Sequence, residues 1–180
     1  VKAAFDKNPT ALKIGGGSSR GSMDHLVAAQ IFKVAGGNPS DVRYVPYDAG
    51  GKALAGLLTG EIEILSTGLG EVIDKHKSGE LKIIGTTASE TIDGVSSFKE
   101  LGVDAYFANW RGFFGAPNLS EEKVNDFAKV FAQMYKTAEW EEIRKRYGWS
   151  NLYKPTKTFK TLLETQEKEI SSLMKEMGFL

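Results

Sequence analysis

Between residues 12 and 80 one local plan recurs three times: a short apolar run, a loop bearing glycines, and a stretch of helical periodicity. The runs are residues 12–15, "VRYVPY" at 42–47 and "EIEILS" at 61–66. The loops carry "GGGSSRGS" at 15–22, "DAGG" at 48–51 and "STGLG" at 66–70. Helices follow at 21–35, within 48–60 and at 68–80; in the first, Met23, Leu26, Val27, Gln30, Ile31 and Val34 mark one face. "LKIIGTT" at 81–87 reads as a fourth strand, and residues 1–7 as the end of a helix closed by Asn8-Pro9. Strands linked through helices run parallel, so residues 1–106 predict an α/β lobe with a mostly parallel sheet and helices on both faces.

The plan then changes. "SFKELG" at 97–102 reads as a short helix, and "DAYFANWRGFFGAP" at 104–117 as an aromatic, strand-like crossing. Helices alone follow, the first with Ser120 as N-cap, and their apolar faces need a surface to pack on. The expected organisation is a lobe at 1–106, a crossing at 107–117 and a helical segment at 118–180. The chain has 180 residues, with 23 basic against 23 acidic side chains and no cysteine. That balance does not favour nucleic acid or a membrane surface, and thiol catalysis and cysteine metal sites are excluded. No apolar run approaches the ~18 residues of a membrane span.

The first loop invites a phosphate reading, and both phosphate fingerprints fail. The dinucleotide pattern G-x-G-x-x-G meets Arg20 where its third glycine belongs. The P-loop spacing of Gly16 and Gly21 is followed by Ser22, without the lysine. What remains is a strand tip feeding a helix N-terminus, where free N–H groups and the positive dipole end attract anions. Serine hydroxyls add donors, and glycines would let a ligand approach the backbone. A turn with a serine N-cap accounts for the first loop equally well. Three successive tips of this kind favour a rim of N–H groups around one small carboxylate. The candidate ligand-binding residues are Gly17, Ser18, Ser19, Gly21, Ser22, Tyr47, Asp48, Ala49, Gly50, Thr67 and Gly68.

Other polar residues are weighed singly. His25 reads as a buried structural histidine and His76 as a solvated one; the pair makes a poor metal site, and no catalytic triad forms. Asp48 reads as a helix cap, with repulsion of a ligand carboxylate as the alternative. Arg20 either clamps an acid or faces solvent. Trp110 reads as packing the crossing, Arg111 is undecided, and Trp140, Tyr147 and Trp149 read as core or interface aromatics. No cofactor is expected.

The ordered set "IGGGSSRGSMDHLVA", "VRYVPYDAGGKALAGLLTGEIEI", "STGLGEV", "NWRGFFGAPNLSEE" and "EWEEIRKRYGW" resembles the solute receptors of the tripartite tricarboxylate transporter family, the TctC or Bug proteins. The resemblance covers essentially the whole chain, and "NWRGFFGAP" after the sheet is its most specific piece. It implies a type II periplasmic-binding-protein-like lobe, followed by C-terminal helices that belong to the other lobe. It implies capture of a di- or tricarboxylate or similar acid, delivery to the transporter's membrane components, and no enzymatic activity. The expected location is extracytoplasmic: the periplasm, or a membrane-anchored lipoprotein in a Gram-positive cell, with the leader outside this chain. Two departures stand out: Arg20 replaces a usual proline, and the first-lobe sheet would precede Val1. With that sheet absent, binding is expected at millimolar strength or weaker, about −4 kcal/mol. Phe127, Phe131, Leu162, Leu163, Leu173 and Met177 then need other cover. An effector-sensing domain of a transcription regulator and a phosphate- or acyl-handling enzyme domain are the alternative readings.

Overall fold

The computed structural model describes residues 2–8 and 11–180, and it divides into two units that are treated separately. The first comprises residues 1–109 and 169–180, the second 110–168.

The first unit contains α1 (Lys2–Lys7), β1 (Lys13–Gly16), α2 (Met23–Val34), β2 (Arg43–Pro46), α3 (Gly50–Leu58), β3 (Ile64–Leu65) and α4 (Leu69–Lys77). The strands form one parallel sheet in the order β2-β1-β3. Ile14 pairs with Tyr44 on one side and Ile64 on the other, so β1 is the central strand. The chain therefore leaves β1 first to one side and then to the other. In open α/β sheets such a reversal opens a ligand crevice beyond the carboxyl ends of the strands.

Ile14, Leu26, Ala28, Ala29, Phe32, Val42 and Leu173 make the core of this unit, with Ile170, Met174 and Met177 packed against it. The apolar face of α2 thus receives the last turns of α7 (Thr156–Glu176). Lys33 and Glu176 add an exposed ion pair at 2.6 Å, worth at most about 1 kcal/mol.

Residues 81–87 do not join the sheet as a fourth strand. Their hydrogen bonds go elsewhere. Ile83 N–H donates to His76 Nδ1 at 3.3 Å, Thr86 N–H to Ser96 O at 3.1 Å, and Phe107 N–H to Thr87 O at 3.1 Å. One isolated bridge, Thr86 with Ser97, is all the ladder that forms there among the described residues. Residues 97–102 make a single turn rather than a helix. Ser97 and Glu100 cap each other reciprocally, Ser97 N–H to Glu100 Oε2 at 2.8 Å and Glu100 N–H to Ser97 Oγ at 3.2 Å. Gly102, at φ +86°, ends the turn at once.

The second unit holds α5 (Glu121–Met134), α6 (Ala138–Arg146) and most of α7. Residues 104–117, read as strand-like, form no strand, and their aromatic side chains pack on the helices of this unit. Trp110 Nε1 donates to Gln166 Oε1 at 2.6 Å, its ring meets Phe159 edge-on at 5.0 Å, and Phe113 stacks on Phe131 at 4.4 Å. Trp110 packs, as its sequence context suggests. Arg111 lies 5.9 Å from the Trp149 ring centroid, within cation–π range. Trp140, Tyr147 and Trp149 form an aromatic group with Tyr135 and Tyr153. Of the six apolar side chains expected to need cover, Leu173 is buried, four are half-buried, and Phe127 stays 56% exposed.

Truncating Leu173 to alanine should cost about 2–5 kcal/mol, the range for emptying a packed leucine site. A urea midpoint that does not move would show that α7 contributes nothing to the first unit's core.

Candidate functional site

The site grows from the glycines of β1. Tyr47 N–H donates to Gly16 O at 2.9 Å and Ser66 N–H to Gly15 O at 2.8 Å, so pairing continues to the point where each loop departs. The three loops therefore leave the sheet at one edge. Gly17 lies directly on the first turn of α3: a Cβ there would stand 2.7 Å from the Ala49 carbonyl carbon and 2.8 Å from Gly50 Cα. Gly50 in turn faces Glu71, whose Oε2 accepts from Thr67 Oγ1 at 2.6 Å.

Each loop opens a helix, and none of the three N-cap residues, Ser22, Ala49 and Gly68, caps its helix with a side chain. In the second unit, by contrast, Ser120 and Thr137 each accept from an N–H of the helix they precede. The first turn of a helix carries N–H groups without helical partners and the positive end of the dipole. Three such ends converge on one edge. A pocket of about 320 Å³ lies beside the second and third, lined by Gly50, Gly51, Leu54, Leu65, Glu71 and Val72.

The candidate residues divide into those on the rim and those turned from it. Gly17, Ala49, Gly50, Thr67 and Gly68 are on it. Ser18 is consumed by the scaffold: its Oγ accepts from Asp24 N–H at 3.2 Å, and its carbonyl accepts from Tyr44 Oη at 2.8 Å. Ser22, a candidate ligand donor with a helix cap as the alternative, does not cap α2 with its side chain and donates its hydroxyl to Ser19 O at 2.7 Å. Ser19 is exposed. Gly21 sits at φ +77°, which glycine adopts without strain, and its N–H donates to His25 Nδ1 at 3.0 Å. The ring of Tyr47 lies between Gly15 and Gly56, so its hydroxyl is buried under α3.

Several single-residue readings are corrected. Asp48 does not cap α3; its exposed carboxylate pairs with Lys52 at 2.6 Å, one helical turn on. Arg20 is exposed, as one of its two readings has it, and its Nη2 also donates to Tyr44 O at 2.9 Å, which ties the loop to β2. His76 is half-buried and accepts from Ile83 N–H. The β1 glycines are needed by the protein's own packing, since the space at Gly15 is taken by Ile62 and Tyr47 and that at Gly16 by Tyr44 and Asp24.

His25 is buried, as its apolar surroundings suggest. Its ring stacks on Tyr44 at 4.6 Å and meets Phe179 edge-on at 5.7 Å. Burial, and then the neighbouring Arg20 charge, lower its pKa from 6.5 to about 4. Asp24 and Glu71 are the residues the sequence reading missed. Burial raises the Asp24 pKa, Ser18 partly offsets that, and the Glu71 charge raises it further. The only signal for either was a helix position: each is an acid in the first turn of its helix.

A parallel α/β unit whose helix N-termini gather at the carboxyl edge of the sheet is the architecture of a periplasmic-binding-protein-like lobe. The chain belongs to the tripartite tricarboxylate transporter family of receptors, TctC, which it matches over residues 2–179. It is similar to a ligand-free TctC solute-binding protein from Polaromonas, with 22% identity, TM-score 0.77, and 97% of this chain and 61% of that one covered. It is also similar to an R. palustris protein with adipate, with 17% identity, TM-score 0.78, and 98% and 59% covered. A periplasmic transporter structure matches with 18% identity, TM-score 0.73, and 97% and 58% covered. The chain thus spans about three-fifths of the length of these structures. No curated protein matches it.

Two outcomes follow. Gly17→Ala should destabilise by about 1–3 kcal/mol, because backbone must move to admit the methyl group; an unchanged urea midpoint would mean that the loops are not in register. For His25, the folded state binds fewer protons than the unfolded state between pH 6.5 and about 4. Its contribution is therefore intact above 6.5 and is lost as pH falls through that window. The wild type should lose more stability than His25→Gln between pH 7 and 4.5, and equal losses would contradict the assignment.

Proposed function

We propose that this chain is the capturing lobe of an extracytoplasmic solute receptor. It binds a small organic acid, of the di- or tricarboxylate kind or similar, and delivers it to the membrane components of a tripartite tricarboxylate transporter. The observation that carries this reading is the convergence of three helix N-termini on one edge of a parallel sheet, none of them capped by the side chain of its own N-cap residue. Preorganised N–H groups recognise a carboxylate without a basic side chain, and they need no reorganisation as it arrives. The adipate in the R. palustris neighbour supports an acid of this size.

In this reading the protein binds and does not catalyse. Residues 1–106 form the lobe that holds the acid, 107–117 cross over, and 118–180 supply helices of the other lobe. The separate packing of 110–168 supports a boundary near residue 110, while 169–180 pack with the first unit.

Amide NMR suits a weak ligand. Titrating adipate at pH 7.5 should move the Gly17, Gly50 and Gly68 amide signals together, along one saturation curve. Shifts confined to other residues, or produced only by inorganic phosphate, would overturn the reading. Ser19→Ala should weaken binding by about 0.5–1.5 kcal/mol, the range of one neutral hydrogen bond. Ser22→Ala should do less, because its hydroxyl is already donated within the loop.

A further inference from the structure

We propose that Glu71 determines specificity at this rim. It selects a carboxylic acid whose second polar group is a neutral hydrogen-bond donor, such as an amide or a hydroxyl, over one with two ionised carboxylates. The proposal rests on the reading of the rim as a carboxylate site and, within the small organic acids, moves the preference away from di- and tricarboxylates to acids with one ionised carboxylate.

The argument begins with what already occupies the end of α3. Gly50 is the first residue of that helix, and the space a side chain there would take is filled by the Glu71 carboxylate, its Cδ 3.0 Å from the Cβ position. Thr67 Oγ1 holds the same carboxylate at 2.6 Å. An anion therefore stands at one of the three positive ends before any ligand arrives. Asp24 adds negative charge nearby: its pKa is raised in part by Glu71, so the two carboxylates feel each other.

The pocket beside Glu71 is otherwise apolar. Leu54, Leu65 and Val72 line it, with Gly50 and Gly51 at the helix end. A ligand chain entering from a carboxylate held at the other helix ends would lie along these side chains and bring its far end to Glu71. A second carboxylate there meets the like charge of Glu71 beside an apolar wall, and the two repel. An amide or hydroxyl donates to the free Glu71 oxygen instead. Excluding the wrong partner by like charge is a general route to specificity.

The test uses the 180-residue chain and three probes of one chain length: hexanoate, adipate and the half-amide of adipate. Their affinities are measured at pH 7.5 and fixed ionic strength. Wild type should prefer the half-amide to adipate by about tenfold, the scale of one like-charge contact in a partly solvated site. Glu71→Gln should abolish or reverse that preference. Equal affinity for adipate and half-amide in the wild type overturns the proposal, even if Glu71→Gln does not fold. So does a ratio unchanged by Glu71→Gln in a protein with native far-ultraviolet circular dichroism. If hexanoate binds while the other two are not distinguished, only the role of Glu71 falls. If none of the three binds, the carboxylate reading itself falls and takes this one with it.

Discussion

The first unit depends on one close approach of backbone to backbone. Gly17 rests on the first turn of α3 with no room for a methyl group between them. The two preceding residues are crowded from other directions, Gly15 by Ile62 and Tyr47 and Gly16 by Tyr44 and Asp24. A side chain at any of the three would drive β1 from its neighbours, since protein interiors leave few voids to absorb one. β1 is the central strand, so its crowding fixes both flanking crossovers. The gathering of helix N-termini at one edge follows from that seam: loops so short and so tightly stacked cannot point their helices elsewhere.

Most of this was legible in the sequence because glycine spacing and apolar periodicity are local signals. β1 to β3 and α2 to α4 lie where the alternation puts them, within a residue or two at most ends, though β3 keeps only Ile64 and Leu65 as ladder. The failures share a cause. Residues 81–87 have the apolar content of a strand, yet Thr86 and Thr87 find partners in the turn at 96–98 and at Phe107. Residues 104–117 are rich in aromatic residues that favour strands, but Trp110 and Phe113 are drawn to helices that follow much later. In each case a tertiary partner outbid the local preference.

The candidate site was legible as backbone and poorly legible as side chains. Gly17, Gly50 and Gly68 announce themselves through turn chemistry. Glu71 does not, because an acid in the first turn of a helix is ordinarily explained by the dipole alone. Only the fold shows that its carboxylate reaches a different helix. In sequence Arg20 is open between an anion clamp and solvent; in the fold it is exposed, and its guanidinium also reaches a backbone carbonyl of β2, a contact that no local pattern announces.

Phe179 gives the rim a tie to the other end of the sequence. Its ring meets His25 edge-on and packs within 3.4 Å of the Cβ position at Gly21, while Tyr44 stacks on the imidazole face. His25 keeps only 5% of its surface, and one ring at the chain's far end guards much of the rest. The imidazole is therefore a reporter of tail docking. Its rate of acylation by a reagent such as diethylpyrocarbonate measures how often residue 179 lifts away. A bulky group attached after that residue acts on the glycine loop as directly as a substitution inside it.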